Sequence, residues 1–236
     1  MLSPASRAAL AAALLAASAF GVMIPSARAF EPSPGPAWPD SIPARLAALA
    51  LLESLNADLL SHPSATLTLD RWCATHRLAP EGTRIVAERV PGAEKPADDA
   101  VRQALRAGPQ ERIAYRRVRL RCGEKVLSEA DNWYLPALLT PEMNHRLETT
   151  DTAFGRVVQP LDFRRRTLSA TLLWRPLPEG WEMGAAVPSA AGARLDPPAH
   201  VLEHRAVLTL PDGTPFSALV ESYTRGVLDF PWPVLP

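Results

Sequence analysis

An arginine and a glutamate stand where strand alternation calls for apolar side chains. The run Ile113-Ala114-Tyr115-Arg116-Arg117-Val118-Arg119-Leu120-Arg121-Cys122 reads as a β-strand, in which successive side chains point to opposite faces. Ile113, Tyr115, Arg117, Arg119 and Arg121 then share a solvated face, and Ala114, Arg116, Val118, Leu120 and Cys122 share an apolar one. Arg116 is the single charge on that apolar row. A guanidinium keeps its proton inside a protein, so a buried one needs an anion supplied by the protein or by a ligand. Glu221 repeats the pattern in Phe216-Ser217-Ala218-Leu219-Val220-Glu221-Ser222-Tyr223-Thr224, on a row with Leu219 and Tyr223. Facing one cavity, Arg116 could grip a ligand carboxylate through paired N–H donors, while Glu221, its pKa raised by burial, could give or take a proton. The plainer alternative is that the two side chains neutralise each other.

Other side chains suggest less chemistry. His62, His76, His145, His200 and His204 show no metal-ligand spacing, so no metal site is expected. With 25 Lys+Arg against 25 Asp+Glu the chain has no electrostatic footprint for nucleic acid. Arg164-Arg165-Arg166 reads as the solvated start of a strand, and Trp174, Trp181 and Trp232 are too scattered to form a platform. Cys73 and Cys122 are the only cysteines; they could form one disulfide, or Cys122 could serve as a small apolar residue on the row of Arg116.

The elements that must position these residues follow a leader. Residues 1–29 carry Arg7, an apolar run over 8–24 and Ser26-Ala27-Arg28-Ala29, the pattern of an export signal cleaved before Phe30. An uncleaved membrane anchor is the alternative, disfavoured by the Ala-x-Ala ending. The expected location is the periplasm, with no membrane span in the mature chain. Residues 30–44, rich in proline, read as an extended leader, and 45–236 as one domain. An amphipathic helix is expected over 45–60, with Leu46, Leu49, Leu52, Leu55 and Leu59 at helical spacing. Residues 64–72 alternate as a strand, and 70–76 stay ambiguous between strand and helix. Further strands are expected over 85–90, 113–122, 126–135, 168–175, 201–210 and 216–224, with hairpins at Gly123-Glu124-Lys125 and Pro211-Asp212-Gly213-Thr214. Short helices are expected over 98–107 and, with Thr140 as cap and Pro141 in the first turn, over 141–147. The fold class is α+β: a single antiparallel β-sheet with flanking helices.

Tyr115-Arg116-Arg117-Val118, Asn132-Trp133-Tyr134-Leu135-Pro136, Thr152-Ala153-Phe154-Gly155-Arg156 and Leu219-Val220-Glu221 occur in an order that resembles chorismate lyase, whose fold is also used by the UTRA ligand-binding domains of some transcription regulators. The resemblance covers roughly residues 45–230. It implies that Arg116 binds a substrate carboxylate and Glu221 the opposite end of the ring. It also implies a carbon–oxygen lyase reaction that releases pyruvate from chorismate and leaves 4-hydroxybenzoate, without metal or cofactor. The partner would be a small aromatic or cyclohexadienyl carboxylate, and Ala65 and Phe154 would line its site.

The chain departs from the family at three points. The family's Ser-Met-Thr segment is Ser64-Ala65-Thr66 here, and the Lys-Arg that follows it is Leu67-Thr68; its Thr-x-Leu-Gly-Arg turn carries Phe154 in place of leucine. A smaller Ala65 and a larger Phe154 imply a reshaped pocket. The export signal is the third departure, since chorismate is made and used in the cytoplasm. Three readings follow: an exported chorismate-lyase-like enzyme, a non-catalytic ligand-binding protein that keeps the Arg116 anchor, and an envelope protein with a collapsed pocket in which Arg116 pairs with Glu221. Gly155 is expected to permit a turn and Arg156 to brace it or lie exposed.

Overall fold

The computed structural model describes residues 38–187 and 194–232. The expected signal at 1–29, residues 30–37 of the expected leader, and residues 188–193 and 233–236 lie outside the described residues. Chain order is α1 (Ile42–Ser61), α2 (Ala65–Thr75), β1 (Val86–Arg89), α3 (Asp99–Leu105), β2 (Ala114–Cys122), β3 (Lys125–Tyr134), α4 (Pro141–Thr149), α5 (Phe154–Val157), β4 (Arg164–Leu172), β5 (His200–Thr209) and β6 (Pro215–Thr224), with short 3-10 turns between some of them. The strands form one six-stranded sheet in the order β1-β2-β3-β6-β5-β4, every pair antiparallel. This is the expected α+β class.

Local chemistry sets most boundaries. Ser41 accepts from the Ala44 amide, Asp98 from Val101 and Thr140 from Met143, so α1, α3 and α4 each begin on a side-chain cap. The β2–β3 hairpin turns at Gly123, whose φ of +56° favours glycine. Along β2 the alternation is as expected: Arg116, Val118, Leu120 and Cys122 are buried, and the residues between them are half-buried. On that outer face cross-strand ion pairs join Arg119 to Glu129 and Arg121 to Glu88.

Four expectations need correction. Residues 64–72 are helical, not a strand. Ser64 accepts from the Leu67 amide to start α2, which runs through the ambiguous 70–76 stretch to Thr75. Buried positions occur almost all round α2, including Thr66, Thr68 and Asp70, so no polar stripe marks the helical period. Strand β4 begins at Arg164 rather than 168, through its pairing with Thr209. In the first half of α1 the inward residues are Ala44 and Ala48, while Leu46 reaches the surface. The packed fold also begins within the expected leader: Trp38 is fully buried, packs edge-on against Phe230 and Trp232, and donates its indole N–H to the Phe230 carbonyl at 2.7 Å.

The two cysteines form a disulfide between α2 and β2, with Cα atoms 6.1 Å apart. No described helix is long and apolar enough to cross a membrane.

His204 on β5 is fully buried, with Nε2 2.8 Å from Asn56 Oδ1 on α1 and Nδ1 unpartnered. Burial lowers its pKa from 6.5 to about 4, against a smaller opposing effect of Glu221. The unfolded chain therefore binds the extra proton first. This contribution to stability is complete above pH 6.5 and is lost as pH falls toward 4, reaching about 3 kcal/mol at most, since one pKa unit is about 1.4 kcal/mol. Urea unfolding at pH 7, 5.5 and 4.5 should show a steeper acid loss in the parent than in His204→Gln; equal slopes would rule out the histidine as its source.

Candidate functional site

Two apolar clusters sit on the sheet face that carries Arg116. One is built by α1, α2 and Trp38 over β2 and β3 and includes Leu120 and Ala130. The other is built by α4, α5 and Phe163 and includes Leu208 and Leu219. A cavity of about 540 Å³, counted out to its open mouth, lies between them, with walls drawn from both. Ala65, Arg116, Phe154 and Glu221, the four residues singled out from sequence, all line it. So do Ser64, Thr66, Asn132 and Arg165, which were not singled out as ligand contacts.

Arg116 is 7% exposed. Its Nη1 donates to the Thr152 carbonyl at 3.2 Å and its Nη2 to the Thr150 carbonyl at 3.3 Å, which ties the loop before α5 to β2. Its Nε is buried without a partner, and among the described residues no carboxylate lies within ion-pair distance. Burial, reinforced by nearby Arg89, lowers the guanidinium pKa to about 10 despite Tyr134 and Asp151, so the charge persists at neutral pH.

Glu221 does not pair with Arg116. Its Oε2 accepts from Arg165 Nη2 at 2.6 Å and from the Tyr223 hydroxyl at 3.2 Å. The loop carbonyls hold the Arg116 head, while Arg165 reaches across β5 from β4 to the carboxylate. The pair is buried, with 4% of the Arg165 side chain and 8% of the Glu221 side chain exposed. Burial disfavours the Arg165 charge, but Glu221 and Tyr223 more than offset this and raise its pKa above the ordinary arginine value. Burial, with Glu221 beside it, pushes the Tyr223 hydroxyl well above the usual tyrosine range. Glu221 is therefore a counter-ion and hydrogen-bond acceptor for Arg165 and Tyr223, not for Arg116. The solvated reading of 164–166 also fails at its middle residue, since alternation sends Arg165 inward between exposed Arg164 and Arg166. That alternation is the signal that could have found it.

The remaining polar lining is fixed from behind. Ser217 Oγ donates to Asn132 Oδ1 at 2.6 Å, leaving the Asn132 amide N–H groups for the cavity. Arg156 bonds the Ile85 carbonyl and Asp70, and Asp70 accepts from the Ile85 amide, so α5, α2 and the approach to β1 are braced together. Phe154 stacks on Phe216 and packs against Tyr134. Among the described residues no group of three His, Cys, Asp or Glu side chains could hold a metal ion.

Gly155 is required for close approach, not for a turn: a Cβ there would stand 2.8 Å from Ser64 Oγ, the α2 cap. Gly155→Ala should cost about 1 to 2 kcal/mol by displacing that cap. The cost should shrink in a Ser64→Ala background, as a double-mutant cycle of urea unfolding energies would show; strict additivity would contradict the contact.

No family model matches the chain. Among solved structures it is similar to PhnF from Mycobacterium smegmatis, with 13% identity and a TM-score of 0.45 over 72% of this chain and 68% of that one. It is also similar to a GntR-family transcriptional regulator from Enterococcus faecalis V583, with 12% identity and a TM-score of 0.39 over 62% of this chain and 98% of that one. At those values nothing about ligand, activity or partners follows. A much nearer relative is the protein described as "Uncharacterized protein y4mC" of Sinorhizobium fredii (strain NBRC 101917 / NGR234), 60% identical over 198 residues, which are 84% of this chain and 84% of that protein. With identity that high across most of both chains, the protein belongs to the family of Sinorhizobium fredii y4mC.

Proposed function

We propose that the cavity binds the carboxylate of a small aromatic or cyclohexadienyl acid, with Arg116 as anchor and Phe154 and Ala65 as walls. The observation that carries this reading is a buried guanidinium, charged at neutral pH, that faces a cavity with its Nε unpartnered and, among the described residues, no carboxylate within ion-pair distance. The N-terminal turn of α2, from Ser64 to Thr66, borders the same cavity and favours negative charge there. Mostly apolar walls with a few convergent polar groups suit a small ring-bearing ligand. The protein is exported in this reading, supported by the signal-like residues 1–29 and by the Cys73–Cys122 disulfide, a bond that persists in oxidising compartments.

Turnover of chorismate to pyruvate and 4-hydroxybenzoate is the second reading, favoured by the placement of Glu221 on the same cavity as Arg116. Binding without turnover ranks first because Glu221 is engaged by Arg165 and Tyr223 and is not free to act as an acid. The collapsed-pocket reading loses its support, since Arg116 and Glu221 do not pair.

Calorimetric titration of the exported protein with 4-hydroxybenzoate, beside a pyruvate-release assay on chorismate, separates these readings. Binding should weaken ten- to a hundredfold in Arg116→Gln and recover in part in Arg116→Lys, at similar melting temperatures. Unchanged affinity in Arg116→Gln would remove the anchor, and pyruvate release by the parent would establish the lyase. An intact mass of the same preparation should begin at Phe30 with both cysteines oxidised; a retained N-terminus would overturn cleavage.

A further inference from the structure

The two edges of the sheet are built differently. β1 closes one edge with four residues, whereas β4 closes the other with nine, and no described strand pairs with the outer side of β4. From Leu168 to Thr171 this strand is exposed on both faces; Leu168 is 50% exposed and Leu173, just beyond the strand, 46%. A long edge with free N–H and C=O groups is a template for another strand. Charges and bulges are the usual guards of such an edge, and β4 has both: Arg164 and Arg166 are exposed, and its pairing with β5 slips between Thr167 and Ser169. Here the guards complement themselves. Arg165 points inward to the cavity, so Arg164 and Arg166 point outward; after the slip the outward residues are Ser169 and Thr171, beside Arg205 and Glu203 of β5.

A second copy, turned about a two-fold axis normal to the sheet, presents its own β4 antiparallel and with the same faces up. When its Arg166 stands opposite Thr171, its Arg165 stands opposite Leu172 and its Thr167 opposite Ala170. Outward residues then meet outward ones, and inward meet inward, on both sides of the slip. The axis falls beside Leu168 and Ser169, where half-exposed Leu168 is covered by its own copy. Glu203 neighbours Thr171, two strand spacings or roughly 10 Å from the second copy's Arg166 backbone, a gap that extended arginine and glutamate side chains span. Arg205 engages Glu203 through Oε1 at 3.0 Å, which leaves Oε2 open to a second donor. We propose that β4 is a homodimer interface, in which two copies join edge to edge, Arg166 opposite Thr171, with two symmetric Arg166–Glu203 pairs across the joint. The cavity stays within each copy, since Arg165 holds Glu221 of its own chain. The inference rests on the sheet edge and not on the ligand reading.

Sedimentation equilibrium of the exported protein from about 5 to 200 µM, with hydrogen exchange on the same samples, tests the joint. A monomer–dimer equilibrium is expected, with the amides of residues 164–172 exchanging more slowly as the dimer fills. Leu168→Arg, which places two charges at the axis, should abolish the dimer. Arg166→Glu should weaken it about tenfold, and adding Glu203→Lys should recover most of that loss. These side chains lie at the surface, so the variants should melt near the parent. A parent that stays monomeric at the highest concentration overturns the inference, as does a dimer that Leu168→Arg leaves intact or whose protected amides lie outside β4. A dimer lost in Leu168→Arg but indifferent to Arg166→Glu overturns the register.

Discussion

A guanidinium that stays charged cannot be absorbed into an apolar core, and the arrangement around the cavity depends on where this fold puts Arg116. It stands on the inner face of β2 between two apolar clusters, and neither cluster closes over it. Two loop carbonyls occupy two of the five N–H donors of its head. Carbonyls relieve hydrogen-bond demand without neutralising charge, so the site retains an uncompensated cation. The same two bonds fix the loop that leads into α5, and α5 carries Phe154 and Gly155 to the cavity wall. One residue thus holds the roof of the cavity in place and leaves it positively charged.

The opposite wall is held by independent means. The disulfide joins Cys73 of α2 to Cys122 of β2, the strand that carries Arg116. Arg156, Asp70 and the backbone of Ile85 tie α5 to α2, and Gly155 lets α5 approach the α2 cap. The α2 N-terminus is therefore fixed against both the sheet and α5, which keeps the cavity from collapsing onto its charged residue. At the far end Glu221, Arg165 and Tyr223 form a buried polar group with His204 as a neutral neighbour. Such groups are costly unless their hydrogen bonds are made; Glu221 accepts two, whereas Arg165 Nε and His204 Nδ1 are left without partners.

Much of this was legible because strand geometry is local. Alternation along 113–122 separated Arg116 from the solvated arginines, and the burial of β2 follows that pattern. Alternation failed over 64–72, where Thr66, Thr68 and Asp70 mimic the polar face of a strand. They are buried in a helix enclosed on most sides, and Asp70 is tolerated there because Arg156 and the Ile85 amide satisfy it. Trp38 was hidden by the prolines around it, since its burial depends on Phe230 and Trp232, nearly two hundred residues away.

By itself the sequence determined the class of fold, the two hairpins, and the presence of one arginine and one glutamate on inward rows of two strands. Each of these rests on periods of two or 3.6 residues and on turn residues that act within a few positions. Only the tertiary structure decided that Glu221 belongs to Arg165 and that Arg116 is left to loop carbonyls. That choice is set by the strand order β1-β2-β3-β6-β5-β4, which brings β4 within reach of β6 across β5, and by the loop that packs onto β2. Charge pairing in a buried site is a property of three-dimensional neighbours, and no local period encodes it.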